Sequence, residues 1–156
     1  MIFSTVNKIP AFVLEKLDIL FKLLKERKSE YEAFACKVND KQLKRTVLSL
    51  AQETNQYANE LWSQIESMGG RVLLMYEGEG DVPEVSYVPD SMLRLEHQDE
   101  ILTSCEISEQ KMILAYRNVL NEPFLHENLR KLIRCQLNGL MSAFMQLKLL
   151  KRSFHR

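Results

Sequence analysis

The side chains with chemistry to offer are carboxylates set at helical spacing. Glu106 and Glu109 stand three apart in ILTSCEISEQKMILAYRNVL, so a helix carries both on one face. Glu53 precedes Gln56 by the same step in LAQETNQYANELW, and Gln136 interrupts an apolar stripe further along. Hard oxygen donors of this kind take iron or manganese, especially when imidazole completes the set. The three histidines do not supply it: His97 and His126 fall near expected helix starts and His155 near the end of the chain. Lys28 lies in the middle of the first helical segment. Lys28, Glu53, Glu106, Glu109 and Gln136 therefore make a candidate polar core layer. In one reading the Lys28 ammonium is buried and neutralises Glu53 or Glu109, since a buried charge needs a partner. In the other, Lys28 reaches solvent with its stem along the bundle, and Glu53 sits on a boundary face.

Other chemistries find less support. No spacing assembles a Ser/His/Asp nucleophile, and there is no glycine-rich phosphate loop. Cys36, Cys105 and Cys135 lie in helix-patterned stretches without a CxxC or Cys/His cluster, which suggests buried small hydrophobes in a reduced, cytoplasmic protein. Lys+Arg and Asp+Glu both number 21, so the basic excess of a nucleic-acid binder is missing, and KQLKR and LRKLIRC read as solvated faces. The start, MIFSTVNKIPAFVLEKLD, lacks the unbroken apolar core of a signal peptide, and charges interrupt every apolar run before membrane length. Neither nucleic acid nor membrane is expected as a partner.

Four helices must position the polar residues. With only 5 Gly and 4 Pro in 156 residues, long uninterrupted helices are favoured. The first, about 10–38, carries Val13, Leu17, Leu20, Leu24, Tyr31, Phe34 and Val38 at steps of three, four or seven, with Pro10 in its first turn. Asn39 and Gln42 form a capping-box pattern that opens the second, about 40–68, which Gly69-Gly70 closes. The tight join makes these two antiparallel neighbours. The third spans about 91–120 and the fourth about 123–153. Between the pairs, 71–90 reads either as a crossover loop running back along the bundle or as a short hairpin around EGEGDVPE. The whole chain, 1–156, is expected to be a single all-α domain, an antiparallel four-helix bundle with one long crossover between helices 2 and 3.

That helix order resembles the ferritin-like superfamily. LAQETNQYANELWSQIESMGG is similar to the second helix of an uncharacterised bacterial family of ferritin-like four-helix bundles, a domain of unknown function, which ends in Glu-Leu, an apolar run and Gly-Gly. ILTSCEISEQKMILAYRNVL resembles the same family's Cys-Glu-x-x-Glu segment, and the resemblance extends from about Ile9 to Leu150. It implies inward carboxylates for a di-iron centre. Here Lys28 falls where the family tends to carry a carboxylate, Gln56 where a histidine is needed, Gly139 three residues after Gln136, and Phe144 where relatives often have histidine. The resemblance therefore implies a degenerate di-iron site, with no cofactor and no catalytic residue expected.

The expected function is accordingly a non-catalytic interaction or stress-related structural module. The alternative is a bundle that binds iron or manganese through residual carboxylates, and a third class is a small-ligand carrier using a cavity near the polar layer. Apolar residues beyond one stripe on the first helix (Ile19, Phe21, Leu23) and the fourth (Leu137, Met141, Met145, Leu149) predict a second covered side. The cover is assigned partly to the crossover, through Val72, Leu74, Tyr76 and Tyr87, and partly to a homodimer partner.

Overall fold

A computed structural model describes residues 9–68 and 98–154. They form four helices: α1 (Ala11–Lys37), α2 (Lys41–Ser67), α3 (Gln98–Leu120) and α4 (Glu127–Phe154). No strand occurs among the described residues. The chain is an all-α four-helix bundle.

Caps explain where the helices begin. Pro10 precedes α1 as its N-cap, with its carbonyl accepting from the amides of Val13 and Leu14. Asp40, not Asn39, caps α2: its carboxylate accepts from the Leu43 amide at 2.8 Å. The shorter Val38–Asp40 link leaves Asn39 exposed in the turn. The fourth helix starts at Glu127 rather than at Pro123. Before it, Arg130 donates to the carbonyls of Leu120 and Glu122, and the Glu122 carboxylate accepts from the Phe124 amide. These bonds hold 121–126 as a turn. Replacing Asp40 with alanine is expected to cost about 1 kcal/mol. An unchanged urea midpoint would show that the cap contributes nothing.

Each helix packs against two others: α1 on α2 and α3, and α4 on α3 and α2. Contacts fix the directions. Tyr31 meets Glu109, Lys16 meets Glu122 and Phe12 meets Phe124, so α1 and α3 run antiparallel. Met68 at the end of α2 packs with Val13 and Leu129, whereas Ile101 and Leu102 at the start of α3 pack with Val38, Leu43 and Leu147. Met68 and Gln98 thus lie at opposite ends of the bundle. The expected crossover or hairpin at 71–90, the helix start at 91, Gly69-Gly70, His97 and His155 all lie outside the described residues.

The core is divided in two. One apolar cluster holds Leu17, Leu24, Leu61, Ile65, Tyr116 and Ile133; the other holds Phe34, Leu43, Val47, Ile101, Cys105 and Leu147. Between them the inward positions of α1, α2 and α3 are polar: Arg27, Thr54, Ser108 and Glu109. Two surface expectations need correction. Phe21 is buried, its ring 6.1 Å from that of Trp62, because α1 turns it toward α2 rather than outward. Leu137 is buried too. Of the cysteines only Cys105 is buried; Cys36 and Cys135 are exposed, since they fall beside the inward stripe rather than on it.

Candidate functional site

The polar layer is assembled where the middles of all four helices meet. On the side of α1 and α3, Arg27 Nη1 donates to Ser108 Oγ at 2.6 Å and to Glu30 Oε1 at 2.8 Å, and Ser108 Oγ donates to the same Glu30 oxygen at 3.1 Å. One turn on, the Tyr31 hydroxyl donates to Glu109 Oε2. Glu109 is 1% exposed, and its Oε1 accepts no hydrogen bond among the described residues.

On the side of α2 and α4, Gln136 is the hub. Its Oε1 accepts from the Tyr116 hydroxyl at 2.7 Å. Its Nε2 donates to the Tyr57 carbonyl at 3.2 Å and to Glu60 Oε1 at 2.9 Å. The Tyr57 hydroxyl donates to Glu53. It can do so only because residue 139 is glycine. A Cβ there would overlap the Tyr57 hydroxyl and lie 3.7 Å from Glu53 Oε2.

Burial sets the electrostatics. Desolvation raises the Glu109 carboxyl to about 7; the Glu53 charge adds to the rise, while the Tyr31 hydrogen bond and the Arg27 charge oppose it. Glu53, half-buried, is also raised by desolvation, and the Tyr57 hydrogen bond opposes that shift. Desolvation pushes the hydroxyls of Tyr31, Tyr57 and Tyr116 and the Cys105 thiol upward, so all four stay protonated near neutrality.

Of the five residues singled out in the sequence, the fold brings Glu53, Glu109 and Gln136 into the layer. Lys28 is outside it. It pairs with Glu32 at 3.2 Å on the outer side of α1, one position round from the buried face that Arg27 takes. Of the two readings of Lys28, the solvent-reaching one describes its placement and the internal pair does not form. Glu106 also lies apart, bound to Lys151 of α4 at 3.2 Å. Gln56 is exposed and bonds to Glu60 at 3.0 Å. Phe144 is half-buried under Lys148, and His126 Nδ1 accepts from the Asn128 amide at 3.1 Å, leaving each engaged elsewhere. Sequence reasoning missed Arg27, Ser108 and Glu60. Arg27 had a signal: the stripe jumps seven residues from Leu24 to Tyr31, and position 27 continues it as well as 28 does.

The donor set does not fit a di-iron centre. No group of three His, Cys, Asp or Glu side chains among the described residues is placed to hold a metal ion. Two carboxylates with raised proton affinity remain, flanked by tyrosines and an amide already engaged in hydrogen bonds. No helix among the described residues is long and apolar enough to cross a membrane.

Residues 13–122 match the model of a family described as a domain of unknown function (DUF2383). The match covers α1, α2 and α3, with Tyr31, Glu53, Tyr57 and Glu109, and ends before α4 with Gln136 and Gly139. No curated protein matches the chain. With most of its length, including three of the four helices and both Glu53 and Glu109, matched by that model, the chain belongs to the DUF2383 family.

Proposed function

We propose that this protein is a non-catalytic, ferritin-like bundle that acts through its surface as an interaction or stress-related structural module and self-associates as a homodimer. Two antiparallel hairpins, with the end of α2 and the start of α3 at opposite ends of the bundle, support the ferritin-like reading. The polar layer supports the non-catalytic one, because Arg27, Tyr31, Tyr57, Tyr116 and Gln136 are each engaged in hydrogen bonds and no group of donors for a metal centre is placed among the described residues. Free cysteines, two of them exposed, support a cytoplasmic, reduced setting.

The observation that carries the self-association is an apolar face on the α3–α4 hairpin. Ile107 and Leu114, seven apart, share a side of α3 and are 51% and 59% exposed. Met141, Met145 and Leu149, each four apart, form a ridge on α4 and are likewise exposed. Arg117, one turn beyond Leu114, brings Nη2 to 3.9 Å from Met141 Sδ, which sets the two ridges side by side. Exposed apolar residues aligned on two neighbouring helices favour an interface there. The double variant Leu114→Lys, Met145→Glu is expected to run as a folded monomer in light scattering, with unchanged helical circular dichroism, where the unmodified chain runs as a dimer. A monomeric unmodified chain at micromolar concentration removes the dimer. Iron or manganese bound near one per chain after purification without chelators, and lost in Glu109→Ala, replaces the proposal with the metal-binding alternative.

A further inference from the structure

A cleft of about 370 Å³ opens between α2 and α4 beside the polar layer. Its walls include Thr46 and Ser49 from α2 and Ser142 and Gln146 from α4, with Glu53 and Gly139 also in the lining. We propose that this cleft binds a small organic cation, a primary alkylammonium, with its head on the Glu53 carboxylate.

Three observations converge on that class of ligand. First, Glu53 is half-buried and forms no ion pair among the described residues; its hydrogen bond comes from the neutral Tyr57 hydroxyl. Second, a further carboxylate lies within electrostatic reach: Glu109 is 1% exposed, feels the Glu53 charge and keeps Oε1 without a donor among the described residues. Arg27, whose charge opposes the rise at Glu109, is occupied by Glu30 and Ser108. The pair of acids is thus short of positive charge where it is least hydrated, which is where a charge-assisted hydrogen bond contributes most.

Third, the surroundings select the shape of the cation. A metal ion needs more fixed donors than two carboxylates provide. An ammonium head brings three N–H donors of its own and needs only acceptors around it. The hydroxyl and amide walls offer those acceptors, and the cleft has the volume of a small-molecule site. Arg45 also lines the cleft, but it lies eight residues from Glu53, about 12 Å along α2. No ion pair joins its guanidinium to Glu53 among the described residues. Gly139 at this end leaves room for the Tyr57 hydroxyl, which a side chain there would displace from Glu53.

The test is a titration of the full chain with n-butylammonium chloride at pH 8, followed by amide chemical shifts. Shifts at Ser49, Glu53 and Ser142 should saturate together, and Glu53→Gln should weaken the affinity about tenfold or more, the factor expected for a hydrogen bond to a charged group. Arg45→Ala should bind at least as tightly as the unmodified chain. Equal binding of n-butanol, equal affinity in Glu53→Gln, or no saturation at tens of millimolar would each overturn the proposal. Displacement by manganese(II) chloride at lower concentration would overturn it in favour of a metal site. None of these outcomes depends on whether the protein dimerises.

Discussion

Replacing Arg27 with methionine is expected to destabilise the bundle by about 3 kcal/mol, whereas the same change at the adjacent Lys28 should cost less than about 1 kcal/mol. Arg27 is 9% exposed and its guanidinium ties Glu30 of α1 to Ser108 of α3. Methionine fills similar volume but leaves the Glu30 carboxylate, itself mostly shielded, without its cation. It also removes the nearest positive charge that opposes the rise at Glu109. Lys28, by contrast, holds Glu32 in an i,i+4 pair at the surface, where water replaces the partner on mutation. Urea unfolding of the two variants side by side measures the difference. Equal midpoints would mean that the α1–α3 cluster does not discriminate between neighbouring cations.

Glu109→Gln is expected to stabilise the protein at pH 8 by about 3 kcal/mol and at pH 5 by less than about 1 kcal/mol. The folded-state value of about 7 lies above the ordinary 4.5, so the folded chain holds this proton more tightly than the unfolded chain does. The resulting stabilisation is fully present below pH 4.5 and is lost as pH rises through 7. Above that, the folded state carries a desolvated carboxylate whose burial only Tyr31 and the Arg27 charge offset. Glutamine keeps an acceptor for the Tyr31 hydroxyl and never ionises. The shift at Glu53 has the same sign, so the two acids act in the same direction. Chemical denaturation at pH 5, 6, 7 and 8 separates the cases. A difference between variant and unmodified chain that stays constant over this range would show that Glu109 does not titrate in it.

Periodicity along the chain determined the helices themselves. The inward residues Leu17, Leu24, Leu43, Leu61 and Leu147 recur at helical spacing, and each is buried. The fourfold all-α architecture was legible for that reason, because an amphipathic stripe needs only local order in the sequence. The interruptions Glu109 and Gln136 were legible too: both lie on their stripes and both are inside. Caps were read less well, since Asn39 and Asp40 are both good capping residues and only the turn geometry chose Asp40.

What a polar residue meets could not be read the same way. Between Leu24 and Tyr31 the stripe admits either Arg27 or Lys28, which differ by about 100° around α1. Only the packing of α3 decided the matter, by setting Ser108 and Glu109 opposite Arg27 and Tyr31 and leaving Lys28 to Glu32. Glu106 and Glu109 share a face by spacing, yet α4 draws Glu106 away to Lys151. The role of Gly139 likewise depends on a tyrosine 82 positions earlier, whose hydroxyl occupies the space a side chain would take. Helical spacing carries information over one or two turns of a single helix; the partner of a buried charge is set by the axial shift and rotation of neighbouring helices, which contacts across the whole core determine together.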